Sequence, residues 1–313
     1  MLRLDDINDF EWRRLVERLD LAVAESARAY LAQLHSRRVP IRIDRWDDEL
    51  EELRLRREPE YDLPGLPLAY ALKFMPRRVV SVLASLLLLD LDRYPSSVLD
   101  VGSGTGATAI ALDLLDAPRH ITLTGLEPSQ EMRTFAGSSR FSGRVTARYI
   151  EGSISDGSLS ALSMHDYDLV VLSAAFPYHF DAWQPLLDGL GDHDAGLMIL
   201  AIEPDAKAPI LDSLGRRLGA RGWPIIRRNS TELPEMITRD DVFLKATETL
   251  WERIGSPGSM APRTWWTPPD DRYLVANPLP SWPRLNEARI RPVRTVRSPL
   301  REAASVTSRS APP

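Results

Sequence analysis

The sequence predicts a doubly wound α/β protein: an open, mostly parallel, seven-stranded sheet with helices on both faces and an N-terminal helical extension. Three observations carry this expectation. Short aliphatic runs alternate with helical apolar periodicity from Ser97 onward. The stretch Ser97 to Ala107 passes from a β-branched run into a bend with Gly102, Gly104 and Gly106, and then into a helix start. The first part of the chain shows mainly helical spacing.

Residues 8–35 form the first predicted helix. Asn8 with Glu11 three positions on suggests a capping box, and Trp12, Leu15, Val16, Leu19, Val23, Tyr30, Leu31 and Leu34 recur on one face. Val39–Ile43 contains Pro40 and reads as an edge strand or a linker. From Asp44 to Glu60, acids outnumber arginines two to one, as on a solvated helical face. Tyr61 to Pro67 has turn chemistry. Tyr70–Arg78 leads into an apolar helix, Val79–Leu91, with Pro76 placed best in its first turn.

After the glycine bend, Ile121–Glu127 is a second strand and Ser129 caps the helix behind it. Arg144–Ile150, Tyr167–Ser173 and Gly196–Pro204 are the third to fifth strands, with a helix from Ala206 to about Ala220. Trp223–Arg227 and Arg272–Ala276 are the last two strands, and Asp240–Ile254 reads as a helix between them. These elements divide the chain into an extension at 1–66, the α/β domain at 67–280 and a tail at 281–313. The tail holds seven arginines among Pro, Ser and Ala and reads as disordered.

Composition bounds the function. The net charge of −5 gives no general call on nucleic acid or membrane, and the most apolar run is too short to span a bilayer. Met1–Asp6 runs straight into a charged amphipathic pattern, so a cytoplasmic location is expected. There are no cysteines, which removes disulfides, thiolate metal sites and cysteine nucleophiles, and no metal ligand set is apparent. All basic residues except Lys73, Lys207 and Lys245 are arginines. A basic tail can meet RNA through phosphates.

The glycine bend fits two ligand classes. Gly102-x-Gly104-x-x-Ala107, with Glu127 further on, matches the dinucleotide fingerprint. The same residues also read Asp100-x-Gly102-x-Gly104-x-Gly106. A carboxylate at Asp100 repels a pyrophosphate and favours a ligand bearing an ammonium and a sulfonium. In this form the stretch resembles motif I of the class I S-adenosylmethionine (SAM)-dependent methyltransferases. The resemblance implies a Rossmann-like methyltransferase sheet with SAM as cofactor.

It further implies that Gly102, Ser103 and Gly104 take the methionine part, with Asp100 toward its ammonium and Gly106 completing the bend. Glu127, followed by Pro128, then accepts from the ribose hydroxyls, although an acid there also suits the next helix N-terminus. Gly152, Ser153 and Ile154 follow the third strand, where the family places a small-residue turn against adenine; Ser153 stands where its acid is expected. Ser173 ends the fourth strand at the ligand-binding edge. Tyr70, Phe74 and Met75 either wall the cofactor pocket or pack in the core.

Phe176-Pro177-Tyr178-His179 resembles the Asn/Asp-Pro-Pro-Tyr/Phe box of methyltransferases that act on planar nitrogens, but lacks its Asn or Asp. That disfavours a DNA-adenine or release-factor type of reaction. His179 is a candidate general base, with Tyr178 beside it, or else a loop histidine. Phe176, Tyr178, Trp265 and Trp266 are candidates to shape an apolar acceptor pocket. Through Tyr70–Arg78, Val98–Gly106, Asp168–Ser173, Ile202-Glu203-Pro204 and Asp271–Val275, the chain from Tyr70 to Ala276 also resembles the methyltransferase-like family of the small ribosomal subunit, without that family's cysteine cluster.

The expected function is therefore methyl transfer from SAM to N or O of a small molecule or peptide, as in natural-product biosynthesis. The alternatives are a ribosome- or rRNA-associated protein and a non-catalytic scaffold on the same fold.

Overall fold

The computed structural model describes residues 7–40, 43–54, 57, 59–88, 95–116, 118–177, 179–191, 196–238, 244–254 and 271–276. Tyr178, Trp265, Trp266, residues 89–91 of the expected apolar helix, 240–243 of the expected late helix and the tail lie outside them. Chain contacts separate Met1–Trp282 from Pro283–Pro313. The expected segments 1–66 and 67–280 thus fall within a single unit.

Two helices come first, α1 (Asp9–Ser36) and α2 (Ile43–Arg54), then α3 (Leu66–Leu88). The α/β alternation follows as β1 (Ser97–Val101), α4 (Ala107–Leu114), β2 (Ile121–Leu126), α5 (Gln130–Ala136), β3 (Val145–Ile150) and β4 (Leu169–Ser173). It continues through α6 (Trp183–Leu190), β5 (Met198–Pro204), α7 (Ala208–Ala220) and β6 (Ile225–Asn229). It ends with α8 (Glu235–Thr238), α9 (Lys245–Ile254) and β7 (Asp271–Ala276).

The seven strands order as β3-β2-β1-β4-β5-β7-β6. Pairing is parallel from β3 through β5, and β7 runs antiparallel to both neighbours. Successive strands are laid down outward in opposite directions from β1 and β4, which opens a crevice at their carboxyl ends.

Alternation along each strand divides the core. Val98, Leu123, Val171 and Leu200 pack in one cluster with α1 and α3, whereas Leu99, Leu126, Leu172 and Ala201 pack in the other with α6 and α7. α1 is bound into the first cluster by polar contacts as well. The buried Tyr30 hydroxyl donates to Glu131 Oε2 at 2.5 Å, and Arg37 pairs with Glu131 Oε1 at 2.6 Å.

The structure corrects several local expectations. Asn8 does cap α1, its Oδ1 accepting the N–H groups of Phe10 and Glu11 at 3.0 Å. Val39 and Pro40 are irregular and Ile43 already begins α2, so no edge strand forms at those described residues. Pro76 does not start a helix but lies inside α3, which runs unbroken from Leu66. An interior proline costs about 3 kcal/mol. Leu68, Leu72, Met75, Val79 and Val82 are fully buried along the same helix, each burial contributing about 1.5–3 kcal/mol. Packing wins. β6 begins two residues later than expected, and the helix behind β5 is preceded by a 3₁₀ turn at Asp205–Lys207.

Candidate functional site

The bend after β1 is left-handed at each glycine, with φ of 70° at Gly102, 50° at Gly104 and 86° at Gly106. Side chains rarely adopt such backbone. The N–H groups of Gly102 and Ser103 donate to the Leu126 carbonyl at 2.8 and 3.1 Å, which ties the bend to the end of β2. A Cβ at Gly102 would lie 3.1 Å from the Ala175 Cβ, and one at Gly106 2.8 Å from the Tyr149 hydroxyl. At Gly104 the nearest atom would be 3.9 Å away. Two glycines therefore permit close packing, whereas a Cβ at the third would make only an ordinary contact.

Under the bend, Asp100, Gly125 and Tyr149 occupy one register row across β1, β2 and β3. The Tyr149 ring lies over Gly125. Asp100 is buried, and neither its Oδ2, the Tyr149 hydroxyl nor the Ser103 hydroxyl has a hydrogen-bond partner among the described residues. Burial pushes the Asp100 carboxyl up to about 7; a hydrogen bond from Thr108 opposes the shift and the Glu127 charge adds to it.

Glu127 follows β2 and is also buried. Its Oε2 accepts the Gly104 N–H and its Oε1 the Ser129 N–H, both at 2.9 Å. Burial raises its pKa, against these two hydrogen bonds and the Arg133 charge. Arg133 donates to the carbonyls of Glu127 and Pro128 at 2.6 Å and pairs with Glu151 at 3.1 Å. Ser129 caps α5 as expected, and Asp62 accepts from Ser129 Oγ and the Gln130 N–H. The turn before α3 thus sits beside Glu127.

After β3, Gly152 has φ 153°, and a Cβ there would meet Leu126 Cδ1 at 2.5 Å. The Ser153 N–H is taken by Asp156 at 3.0 Å and its hydroxyl by Ser155 at 3.1 Å, while Ile154 is buried. Desolvation works to raise the Asp156 pKa, but the Ser158 and Ser153 donors prevail and hold it low. The acid of this turn is therefore Asp156, engaged in shaping the loop.

After β4, the Ser173 hydroxyl is buried without a partner among the described residues. Ala174 has φ 51°, and its N–H donates to the Ile202 carbonyl at 2.8 Å. Phe176 is buried against Phe180 and Trp183, with ring centroids 4.9 and 5.8 Å away. His179 is exposed. On α3, Met75 is fully buried, whereas half-buried Tyr70 stands 6.4 Å from Tyr61 and 5.2 Å from Phe74. Met75 is core; Tyr70 and Phe74 belong to an aromatic ladder running from the turn that holds Asp62.

Hydrogen bonds and contacts thus bring Gly102, Ser103, Gly104, Gly106, Asp100, Glu127 and Gly152 together at the carboxyl ends of β1–β3, with Ala175 arriving from β4. Residues 99–190 match the family model described as a methyltransferase domain. The fold and this match support the class I SAM-dependent methyltransferase superfamily. They likewise support SAM as the cofactor.

Among solved structures, the chain is similar to the plantazolicin methyltransferase BamL at 14% identity, covering 83% of this chain and 99% of that one, with a TM-score of 0.40. A SAM-dependent methyltransferase from Archaeoglobus fulgidus shares 17% identity over 63% of this chain and 92% of that one, at a TM-score of 0.39. A precorrin 8w decarboxylase from Methanobacterium thermoautotrophicum shares 16% identity over 63% and 89%, at 0.38. None of these likenesses bears on what this methyltransferase acts upon. Curated proteins yield no match.

Sequence reasoning missed Tyr149, Asp62, Asp156, Glu203 and Lys207 around the site. A glycine inside a strand signals close approach by another group, and Gly125 is such a signal. Glu203 and Lys207, spaced four apart at the end of an apolar strand, are another. A separate cavity of about 100 Å³ beside β6 and β7 is lined by Arg227, Arg228 and Arg272. Each of these is ion-paired, to Asp212, Glu232 and Asp205 respectively. It lies at the opposite side of the sheet from β2 and β3. No helix among the described residues is long and apolar enough to cross a membrane.

Proposed function

We propose that this methyltransferase carries a methyl group to a nitrogen or oxygen of a small molecule or peptide, and that its cofactor sits over the glycine bend. The observation that carries the placement is the Gly104–Glu127 hydrogen bond. It sets a buried carboxylate beside the least crowded of the three glycines of the bend.

The donor set suits SAM. In this reading the free Asp100 Oδ2 receives the ammonium of the methionine part, and the bend at Gly102, Ser103, Gly104 and Gly106 lies along it. Glu127, with Pro128 holding the turn, accepts from the ribose hydroxyls through the lone pairs its two N–H donors leave. Gly152 and Ile154 offer a small-residue and apolar surface to adenine. Ser153 contributes by shaping the turn, since both its polar groups are engaged there. Ser173 offers its free hydroxyl from the β4 side.

Bound in this way, the cofactor supplies a methyl on a positively charged sulfur. The chain's part is alignment and dryness: Phe176, Phe180 and Trp183 form an apolar wall, and dispersed charge needs no polar solvent there. His179, exposed beside Tyr178, is the candidate proton acceptor for an acceptor that arrives protonated.

Incubating the protein with isotopically labelled SAM and candidate peptides and metabolites, followed by mass spectrometry, tests the reading. A labelled N- or O-methyl product is expected. Labelling of RNA alone, lost when residues 281–313 are removed, would overturn it in favour of an RNA substrate.

A further inference from the structure

Glu203 and Lys207 belong to none of the cofactor motifs, yet together they hold the backbone of one residue, Phe176, from both sides. Glu203, fully buried, is the second-to-last residue of β5, and its Oε1 accepts the Phe176 N–H at 3.1 Å. The Lys207 ammonium donates to the carbonyl of the same Phe176, and it closes the ring by pairing with Glu203 Oε2 at 3.3 Å. Phe176 lies in the loop after β4 that borders the crevice.

We propose that Glu203 and Lys207 are positioning residues that clamp the backbone on both sides of Phe176, so that Ala175 stays seated against Gly102 of the cofactor bend. This rests on the methyl-transfer reading only in taking that bend as the cofactor's seat.

Three features support a positioning role over plain stabilisation. A buried ion pair is seldom needed for stability, because apolar residues of like volume often serve as well. This pair instead takes up both backbone polar groups of a single residue, the N–H and the carbonyl of Phe176. Secondly, Ala174, two residues away, holds a left-handed conformation unfavourable for a side chain, and such strain persists where the surroundings over-determine it. Here the Ile202 carbonyl, the clamp and the Phe176–Trp183 contact do so. Thirdly, the loop so held leaves its next residue, Ala175, within 3.1 Å of the space above Gly102.

Glu203 also feels the charge of Arg78 on α3, whose side chain bonds Tyr70 in the aromatic ladder. The clamp therefore binds the β4 loop directly and is linked to α3 through charge. Burial pushes the Glu203 carboxyl up, and Lys207, the Phe176 N–H and Arg78 pull it back.

The test uses the full chain with Glu203→Gln, Lys207→Met and the double variant. It measures thermal unfolding, hydrogen–deuterium exchange over residues 174–182, and calorimetric binding of S-adenosylhomocysteine. Each single variant should unfold at lower temperature, because it leaves a buried charge without its partner. The double variant should recover most of that loss, yet keep loop exchange about tenfold faster than wild type, with affinity about five- to tenfold weaker.

A double variant with wild-type exchange and affinity would overturn the clamp. So would exchange rising equally in β1 and β2 peptides. If the wild type bound no S-adenosylhomocysteine, the cofactor placement would fall, and the exchange comparison would still decide the clamp.

Discussion

The Tyr149 ring occupies the space that a side chain at Gly125 would need: a Cβ there would lie 2.3 Å from Tyr149 Cδ1 and 2.7 Å from the Ser103 hydroxyl. The two residues are register partners on β3 and β2, so the clash cannot be relieved by sliding. Gly125→Ala should therefore destabilise the fold by about 1–3 kcal/mol, the usual range for overpacking. In a Tyr149→Ala background the same substitution should cost much less, and urea unfolding of the four proteins forms the cycle that checks it. Equal costs in both backgrounds would mean the ring is not what Gly125 accommodates.

Asp100 should make both stability and cofactor binding pH-dependent. Its carboxyl, ordinarily titrating near 4, is raised to about 7 in the fold. A raised acid favours the protonated folded state, so its contribution is fully present below about pH 4 and lost as pH rises through 7. Asp100→Asn should match the wild type at low pH and exceed it by a few kcal/mol at pH 8. Binding runs the other way, because the cation needs the ionised form: SAM affinity should fall about tenfold per unit below pH 7 and level off above it. Calorimetry from pH 5.5 to 8.5 measures this, and a flat wild-type profile would remove Asp100 from the ammonium site.

Glu127→Ala removes the acceptor of the Gly104 and Ser129 N–H groups. SAM affinity should drop by roughly tenfold or more, the scale of a lost charge-assisted hydrogen bond. Glu127→Gln keeps an acceptor oxygen and should lose less. Calorimetric titration distinguishes the two, and unchanged binding in both would move the ribose elsewhere.

Tyr30→Phe probes how α1 is bound to the domain. The substitution leaves the buried Glu131 without its 2.5 Å donor, at a cost of about 1–3 kcal/mol. SAM affinity should stay constant, since the Tyr30 hydroxyl bonds Glu131 and the Gly65 N–H and neither oxygen of the Glu127 carboxylate. Chemical denaturation and calorimetry on one variant supply both numbers.

Much of the site was legible along the chain because its parts are local. The left-handed bend needs Gly102, Gly104 and Gly106 whatever else surrounds it, and Ser129 caps α5 from three residues away. Other features were illegible for equally physical reasons. Ser153 looked available because Asp156, which takes its N–H, acts through a turn whose geometry spacing alone does not specify. Pro76 looked like a helix start, since the rule for proline is local while the burial that overrides it comes from α1 and α4 packing on α3.

The sequence by itself determined the class of fold, the glycine bend, the acid after the second strand and the absence of thiol chemistry. Each depends on residues a few positions apart, where period and backbone preference act directly. Only the tertiary structure decided that Tyr149 covers Gly125, that Glu203 and Lys207 grip Phe176, and that Asp100 is buried far enough to titrate near neutrality. Those outcomes depend on strand register and on the loss of water around a charge, and neither exists until distant parts of the chain have come together.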